Sequence, residues 1–145
     1  MTHVDEAGNT WERYDEEYGD YLLLYTRLNG EYHGERNISR LSSGESVLSE
    51  NYEYGKLDGE RIIWEDYGNK IIEMYSNGVL HGPIEEYTYD DVIVMTGNYV
   101  NGKKHGIFIY YDDLNGNERV MYHNDEEADE SELLCGHYAE MTIGA

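Results

Sequence analysis

The chain has 145 residues, enough for one domain with a modest core. Its 31 acids against 10 bases leave a formal net charge of −21, which repels nucleic acid and anionic lipid and attracts basic proteins. The single cysteine, Cys135, excludes an intrachain disulfide framework, and the single proline, Pro83, argues against Pro-rich disorder.

Residues 1–20 are polar and acidic, punctuated by Trp11, Tyr14 and Tyr18. Their three- to four-residue spacing predicts one short helical face, packed as an N-terminal cap on a sheet. No basic stretch followed by an apolar run stands at the start, which with the lone cysteine predicts a cytoplasmic, reducing location. Residues 21–25 are apolar but far too few to span a bilayer, so a first strand is expected there and no membrane contact.

A six-residue turn then recurs. It reads Asn29-Gly30-Glu31-Tyr32-His33-Gly34, Tyr54-Gly55-Lys56-Leu57-Asp58-Gly59, Asn77-Gly78-Val79-Leu80-His81-Gly82 and Asn101-Gly102-Lys103-Lys104-His105-Gly106. From Gly30 to Gly55 to Gly78 to Gly102 the steps are 25, 23 and 24 residues, a period that marks a repeat architecture. Asn-Gly between extended segments is a strong hairpin signal, because both residues tolerate positive φ. Tyr52, Tyr75 and Tyr99 each stand two residues before their turn, and Tyr122 stands two before Asn124. Asn124 to Asp129 is therefore read as a fifth copy with acids in place of the glycines. Trp64, Tyr87 and Tyr111 occupy the fifth position after the second glycine, and the face they share is expected to be core.

A second set of turns falls roughly halfway through each period, at Ser43-Gly44, Tyr67-Gly68-Asn69, Asp90-Asp91 and Asn115-Gly116. Between the two sets lie β-branched and aromatic runs, such as residues 61–66, 70–75, 92–95 and 107–111. The predicted fold is all-β: a single-sheet antiparallel meander of about ten strands built over residues 21–130, with short caps at 1–20 and 131–145.

The pattern Tyr-x-Asn-Gly-x-x-His-Gly at this period resembles MORN repeats, without their usual Gly-x-Gly continuation. It is nearest to the MORN-type repeats of a bacterial antitoxin family. That resemblance implies a β-hairpin array used as a binding scaffold and an antitoxin or immunity role.

Three constellations invite chemistry. His33, His81 and His105 share one turn position, with Asp58 in the remaining copy. Copies two strands apart are ~10 Å from each other, whereas zinc holds its nitrogens at ~2.0–2.1 Å. A structural turn role is expected instead, each ring bonding within its own hairpin, with no metal. Cys135 and His137 lie two apart, but acidic surroundings raise a thiol's pKa, so a buried cap is expected rather than a nucleophile. Asp112, Asp113, Asn115, Asn117 and Glu118 miss the EF-hand spacing, so a hairpin is expected there rather than a calcium loop. With no phosphate-binding glycine loop and no nucleophile elbow, neither enzyme activity nor a cofactor is expected.

The charge excess points to a selected negative surface. Asp90, Asp91, Asp112, Asp113, Asp125, Glu126, Glu127, Asp129, Glu130 and Glu132 are expected to form it. A surface of this kind would neutralise a basic, nucleic-acid-handling protein such as a nuclease, without binding nucleic acid directly. An antitoxin and a phage-type DNA-mimic inhibitor of a nuclease or defence complex both fit; a MORN scaffold that organises a partner without inhibiting it is the alternative.

Overall fold

A computed structural model describes residues 1–66 and 68–128. The expected C-terminal cap at 131–145, with Cys135 and His137, lies outside the described residues. All the strands join one antiparallel sheet. Its strands are β1 (Thr2–Val4), β2 (Thr10–Tyr18), β3 (Tyr21–Leu28), β4 (Glu31–Arg40), β5 (Ser46–Glu53), β6 (Lys56–Leu57), β7 (Gly59–Trp64), β8 (Lys70–Ser76), β9 (Val79–Leu80), β10 (Gly82–Tyr87), β11 (Ile93–Val100), β12 (Lys103–Lys104), β13 (Gly106–Tyr110), β14 (Glu118–His123) and β15 (Glu126–Glu127). The path β1-β2-β3-β4-β5-β7-β8-β10-β11-β13-β14-β15 is a continuous meander. The two-residue strands β6, β9 and β12 are the first halves of return strands that are interrupted just before their second glycine.

The short helical face expected within residues 1–20, carrying Trp11, Tyr14 and Tyr18, is corrected: residues 10–18 are strand β2, paired along its length with β3 from Trp11↔Leu28 to Tyr18↔Tyr21. Trp11 and Tyr14 are three apart, which on a helix would bring them together; on β2 they point to opposite faces. A neighbouring strand that satisfies every second backbone group outweighs a weak helical spacing.

The turns behave as their residues require. Asn29, Tyr54, Asn77, Asn101 and Asn124 have φ between 47 and 50°, and Gly30, Gly55, Gly78 and Gly102 lie between 81 and 83°. Two consecutive left-handed residues make a type I′ turn, whose twist suits a hairpin. Asp125 takes φ 72° in the fifth copy, so that turn keeps its geometry without a glycine.

Register places the two faces of the sheet. Tyr14 pairs with Tyr25, Arg27 with Tyr32, Gly34 with Tyr52, Gly59 with Tyr75, Gly82 with Tyr99 and Gly106 with Tyr122. Because side chains alternate, the turn-proximal tyrosines form one stripe on one face. Of the four buried hydrophobic residues among those described, Tyr25, Ile84 and Phe108 lie on that face too, and Leu28 lies on the other, across from Trp11. Tyr14 stacks on Tyr25 at 4.8 Å, and Phe108 packs edge-on against Tyr99 and Tyr122 at 5.9 and 5.0 Å. Phe108, only 1% exposed, fits because Gly97 opposite it has no side chain.

This overturns the expected core face. Trp64 and Tyr87 both sit across from Lys70 on the other side of the sheet, where they are half-buried. Glu86 shares the face of Ile84 and pairs with Ile71 and Met95. Two aromatic series of the same period run on opposite faces, and periodicity alone does not rank them.

Candidate functional site: an acidic sheet edge

A meander has two edges of turns, and here each is tied from copy to copy. On the Asn-Gly edge, His33 Nδ1 accepts from the Tyr54 N–H at 3.1 Å and His81 Nδ1 from the Asn101 N–H at 3.1 Å. Asp58 does the same for the Asn77 N–H at 3.5 Å. The histidine ring therefore bonds the next hairpin, not its own, and the expectation of a bond within one hairpin is corrected. The turn's fifth position is a latch between copies, which explains why the strand is broken there. Alongside each latch a backbone bond runs in parallel: Gly55, Gly78, Gly102 and Asp125 donate to the carbonyls of Tyr32, Leu57, Leu80 and Lys104 at 2.7–2.9 Å. The last latch runs backwards, with the Lys104 N–H donating to Asp125 Oδ1 at 2.7 Å. His105 Nδ1 is correspondingly buried without a hydrogen-bond partner among the described residues, its ring against His123 at 5.2 Å.

Across the middle of the tyrosine-bearing face runs a ladder of opposite charges. Glu50, 4% exposed, accepts from Arg36 at 2.7 Å and Arg61 at 2.9 Å, and Arg61 reaches Glu73 at 3.0 Å. Tyr52 Oη donates to Glu50 at 3.3 Å. Arg27 lies 5.2–5.6 Å from the ring centres of Tyr14, Tyr25 and Tyr32, and Lys104 lies over Phe108 and Tyr122. Many of the chain's few cations thus serve the sheet itself.

The opposite edge has a carboxylate at each of its turns. Its five turns join β2–β3, β4–β5, β7–β8, β10–β11 and β13–β14, and every one of them contributes at least one carboxylate. They are Asp20, Glu45, Glu65, Asp66, Asp90, Asp91, Asp112, Asp113 and Glu118, against Arg40, Lys70 and Arg119, an excess of six negative charges (nine minus three). Successive turns on one edge are two strands, or ~10 Å, apart, so the row extends ~40 Å. Arg40 binds Asp66 of the next turn at 3.1 Å, and Lys70 binds Asp91 of the next at 3.1 Å. Asp20 accepts from the Ser42 N–H and hydroxyl at 2.9 and 2.8 Å, which, led by the hydroxyl, hold its carboxyl below the usual range. Asp112 folds its own turn: it accepts from Asn115 Nδ2 at 2.9 Å and from the Leu114 N–H at 2.9 Å, and these bonds lower its pKa. This carboxylate is thereby committed to its own hairpin turn.

The predicted acids do not form one surface. Asp90, Asp91, Asp112 and Asp113 stand on this edge, whereas Asp125, Glu126 and Glu127 stand on the Asn-Gly edge at the other end of β14. Six residues of strand separate the two groups by ~20 Å. Asp129, Glu130 and Glu132 lie outside the described residues. The Asn-Gly edge also carries acids, Asp5 and Glu6 at one end, Glu31, Glu53 and Asp58 further along and Asp125, Glu126 and Glu127 at the other end, but its turns at Asn77-Gly78 and Asn101-Gly102 hold no carboxylate, and Lys56, Lys103 and Lys104 stand among its middle turns. Asp20, Glu45, Glu65 and Asp66 complete the acidic row and were absent from the expected set. Their signal was available: each stands in or beside a half-period turn.

Among the described residues no helix is long and apolar enough to cross a membrane. No protein-family model and no curated protein matches the chain.

Proposed function

We propose that the protein is a binding module whose acidic edge occupies the positively charged site of a basic, nucleic-acid-handling protein. The observation that carries this reading is the presence of carboxylates in all five successive turns of one sheet edge. A nucleic-acid site expects a line of negative charge, with one phosphate per ~3.4 Å along a strand. Acid-bearing turns every ~10 Å imitate the field of such a line rather than each phosphate. The edge is made of turns, so its carboxylates project from a backbone fixed by the meander and are not called on to fold it, Asp20, Asp112 and the two ion-paired aspartates apart. The MORN-like turn pattern suggests the biological setting of an antitoxin or immunity protein; the charge equally suits a DNA-mimic inhibitor from a phage. In both the consequence is the same, loss of the partner's access to nucleic acid.

The test uses immobilised protein and host lysate. A basic protein should be retained at about 50 mM salt, released by about 500 mM, and displaced by duplex DNA. The variant Glu45→Gln/Glu65→Gln/Asp90→Asn/Asp113→Asn should slow association roughly tenfold or more while changing dissociation less. Retention that ignores salt, together with normal association by the variant, would refute the reading. Capture that leaves the partner's nucleic-acid binding intact would replace inhibition with scaffolding.

A further inference from the structure

One groove in the acidic edge has a more selective chemistry than charge alone. It has a volume of about 570 Å³ and is lined by Arg40, Glu45, Trp64, Glu65, Asp66 and Tyr89. Tyr89 is 79% exposed, an unusual position for a large ring. It rests on Gly68, whose missing Cβ would stand 3.2 Å from Tyr89 Cβ and 3.4 Å from the ring. Gly68 has φ 90°, so the turn itself requires glycine, and the bare Cα holds the ring against the groove.

The same edge twice clamps a cation of its own between a ring and a carboxylate of the following turn. Arg40 lies 5.4 Å from the centre of the Tyr21 ring and binds Asp66. Lys70 lies 5.4 Å from the centre of Tyr87 and binds Asp91. In the groove Trp64 and Tyr89 supply rings and Glu45 and Glu65 supply carboxylates, a third set of the same composition. Arg40 also borders the groove, but its charge is matched by Asp66.

We propose that this groove receives an arginine side chain of a basic partner. The inference rests on the acidic edge being a site for such a partner and names the chemical group that the edge selects. A guanidinium is planar and weakly hydrated, stacks on aromatic faces, and offers a fork of donors to carboxylates. A lysine ammonium is a compact, strongly hydrated point charge and fits such a slot less well.

The chain has two tryptophans, which gives a direct readout. The Trp11 indole N–H donates to Asp5 at 2.9 Å, far from the groove in the sheet, and serves as an internal control. A capped Gly-Arg-Gly peptide, titrated to millimolar concentration, should shift the Trp64 indole signal in a nitrogen–proton correlation spectrum with saturation, and leave Trp11 unmoved. Tyr89→Ala, at an exposed position that should not disturb folding, should weaken binding roughly fivefold. Glu65→Gln should weaken it similarly, and the Gly-Lys-Gly peptide should bind more weakly than the arginine peptide. Equal shifts of both indoles, no shift of Trp64, or an unchanged affinity in Tyr89→Ala would overturn the proposal. A second variant separates this proposal from the one it rests on. Asp90→Asn/Asp113→Asn lies outside the groove lining and should slow capture of a basic protein while leaving the peptide response intact. Basic-protein capture with a silent Trp64 refutes the groove alone; an arginine-responsive Trp64 in a protein that captures no basic partner refutes the edge reading alone.

Discussion

Gly97→Ala is expected to destabilise the protein although it adds one methyl group to a strand. Gly97 is absent from the left-handed glycines, so its backbone would accept alanine without strain. The obstacle is Phe108. A Cβ on Gly97 would stand 2.2 Å from Phe108 Cε1, 2.3 Å from Cδ1 and 2.6 Å from Cζ. Ordinary carbon contacts lie at ~3.5–4.0 Å, so the ring must retreat by more than ~1 Å. It is held on both sides by Tyr99 and Tyr122 and is 1% exposed, so it has little room. Overpacking of this kind costs about 1–3 kcal/mol. Loss of glycine's unfolded-state entropy offsets about 0.5–1 kcal/mol of it. The net expectation is about 1–2 kcal/mol, read as a lower urea midpoint at constant m. Phe108→Ala alone should cost about 3–5 kcal/mol. With the ring removed, the three closest contacts of an alanine at 97 are gone, so the double variant should be more stable than the sum of the two singles by about 1–2 kcal/mol. A neutral Gly97→Ala, or additivity within about 0.5 kcal/mol, would refute the account of this face as the core.

Three further outcomes are expected from the same geometry. His81→Ala should cost about 1 kcal/mol through loss of the bond to the Asn101 N–H, whereas His81→Asp should be nearly neutral because Asp58 fills the equivalent latch; equal losses in the two variants, or a melting temperature that rises with zinc, would contradict the latch. Glu50→Ala should cost about 2–3 kcal/mol in thermal or urea unfolding, since it leaves Arg36 and Arg61 facing each other on a half-buried face, and a loss within about 0.5 kcal/mol would mean that the ladder is ornamental to stability. Tyr25 and Tyr110 are pushed up to about 12, mainly by burial, then by the hydrogen bonds with Glu16 and Tyr122 respectively. Folding holds both phenols neutral, so this stability is fully present below the unfolded tyrosine pKa of about 10 and is lost as pH rises toward about 12. The melting temperature should fall across that window together with the growth of tyrosinate absorbance, and a flat profile there would remove the assigned burial.

The turn chemistry of this protein is legible in the chain itself. Asn29-Gly30 and its later copies demand left-handed backbone, left-handed backbone makes tight hairpins, and hairpins at a regular step make a meander. Even Asn124-Asp125, with no glycine, was readable from its register with Tyr122. The half-period turns were equally visible, and with them Asp90, Asp91, Asp112 and Asp113. What one strand cannot contain is its neighbour. Alternation sorts side chains into two sets but does not say which set is covered, and the choice fell to the tyrosine stripe because Gly97 leaves a place for Phe108 on that side. Residues 10–18 became a strand because β3 was there to pair with them. His33 and His81 bond across to the next turn because stacking brings that turn's N–H within 3.1 Å, a distance that no spacing along the chain encodes. The acids divided between two edges for the same reason: a strand's length parts residues that are close in sequence, while the meander gathers Asp20, Glu45, Glu65 and Asp113 from across the chain onto one edge.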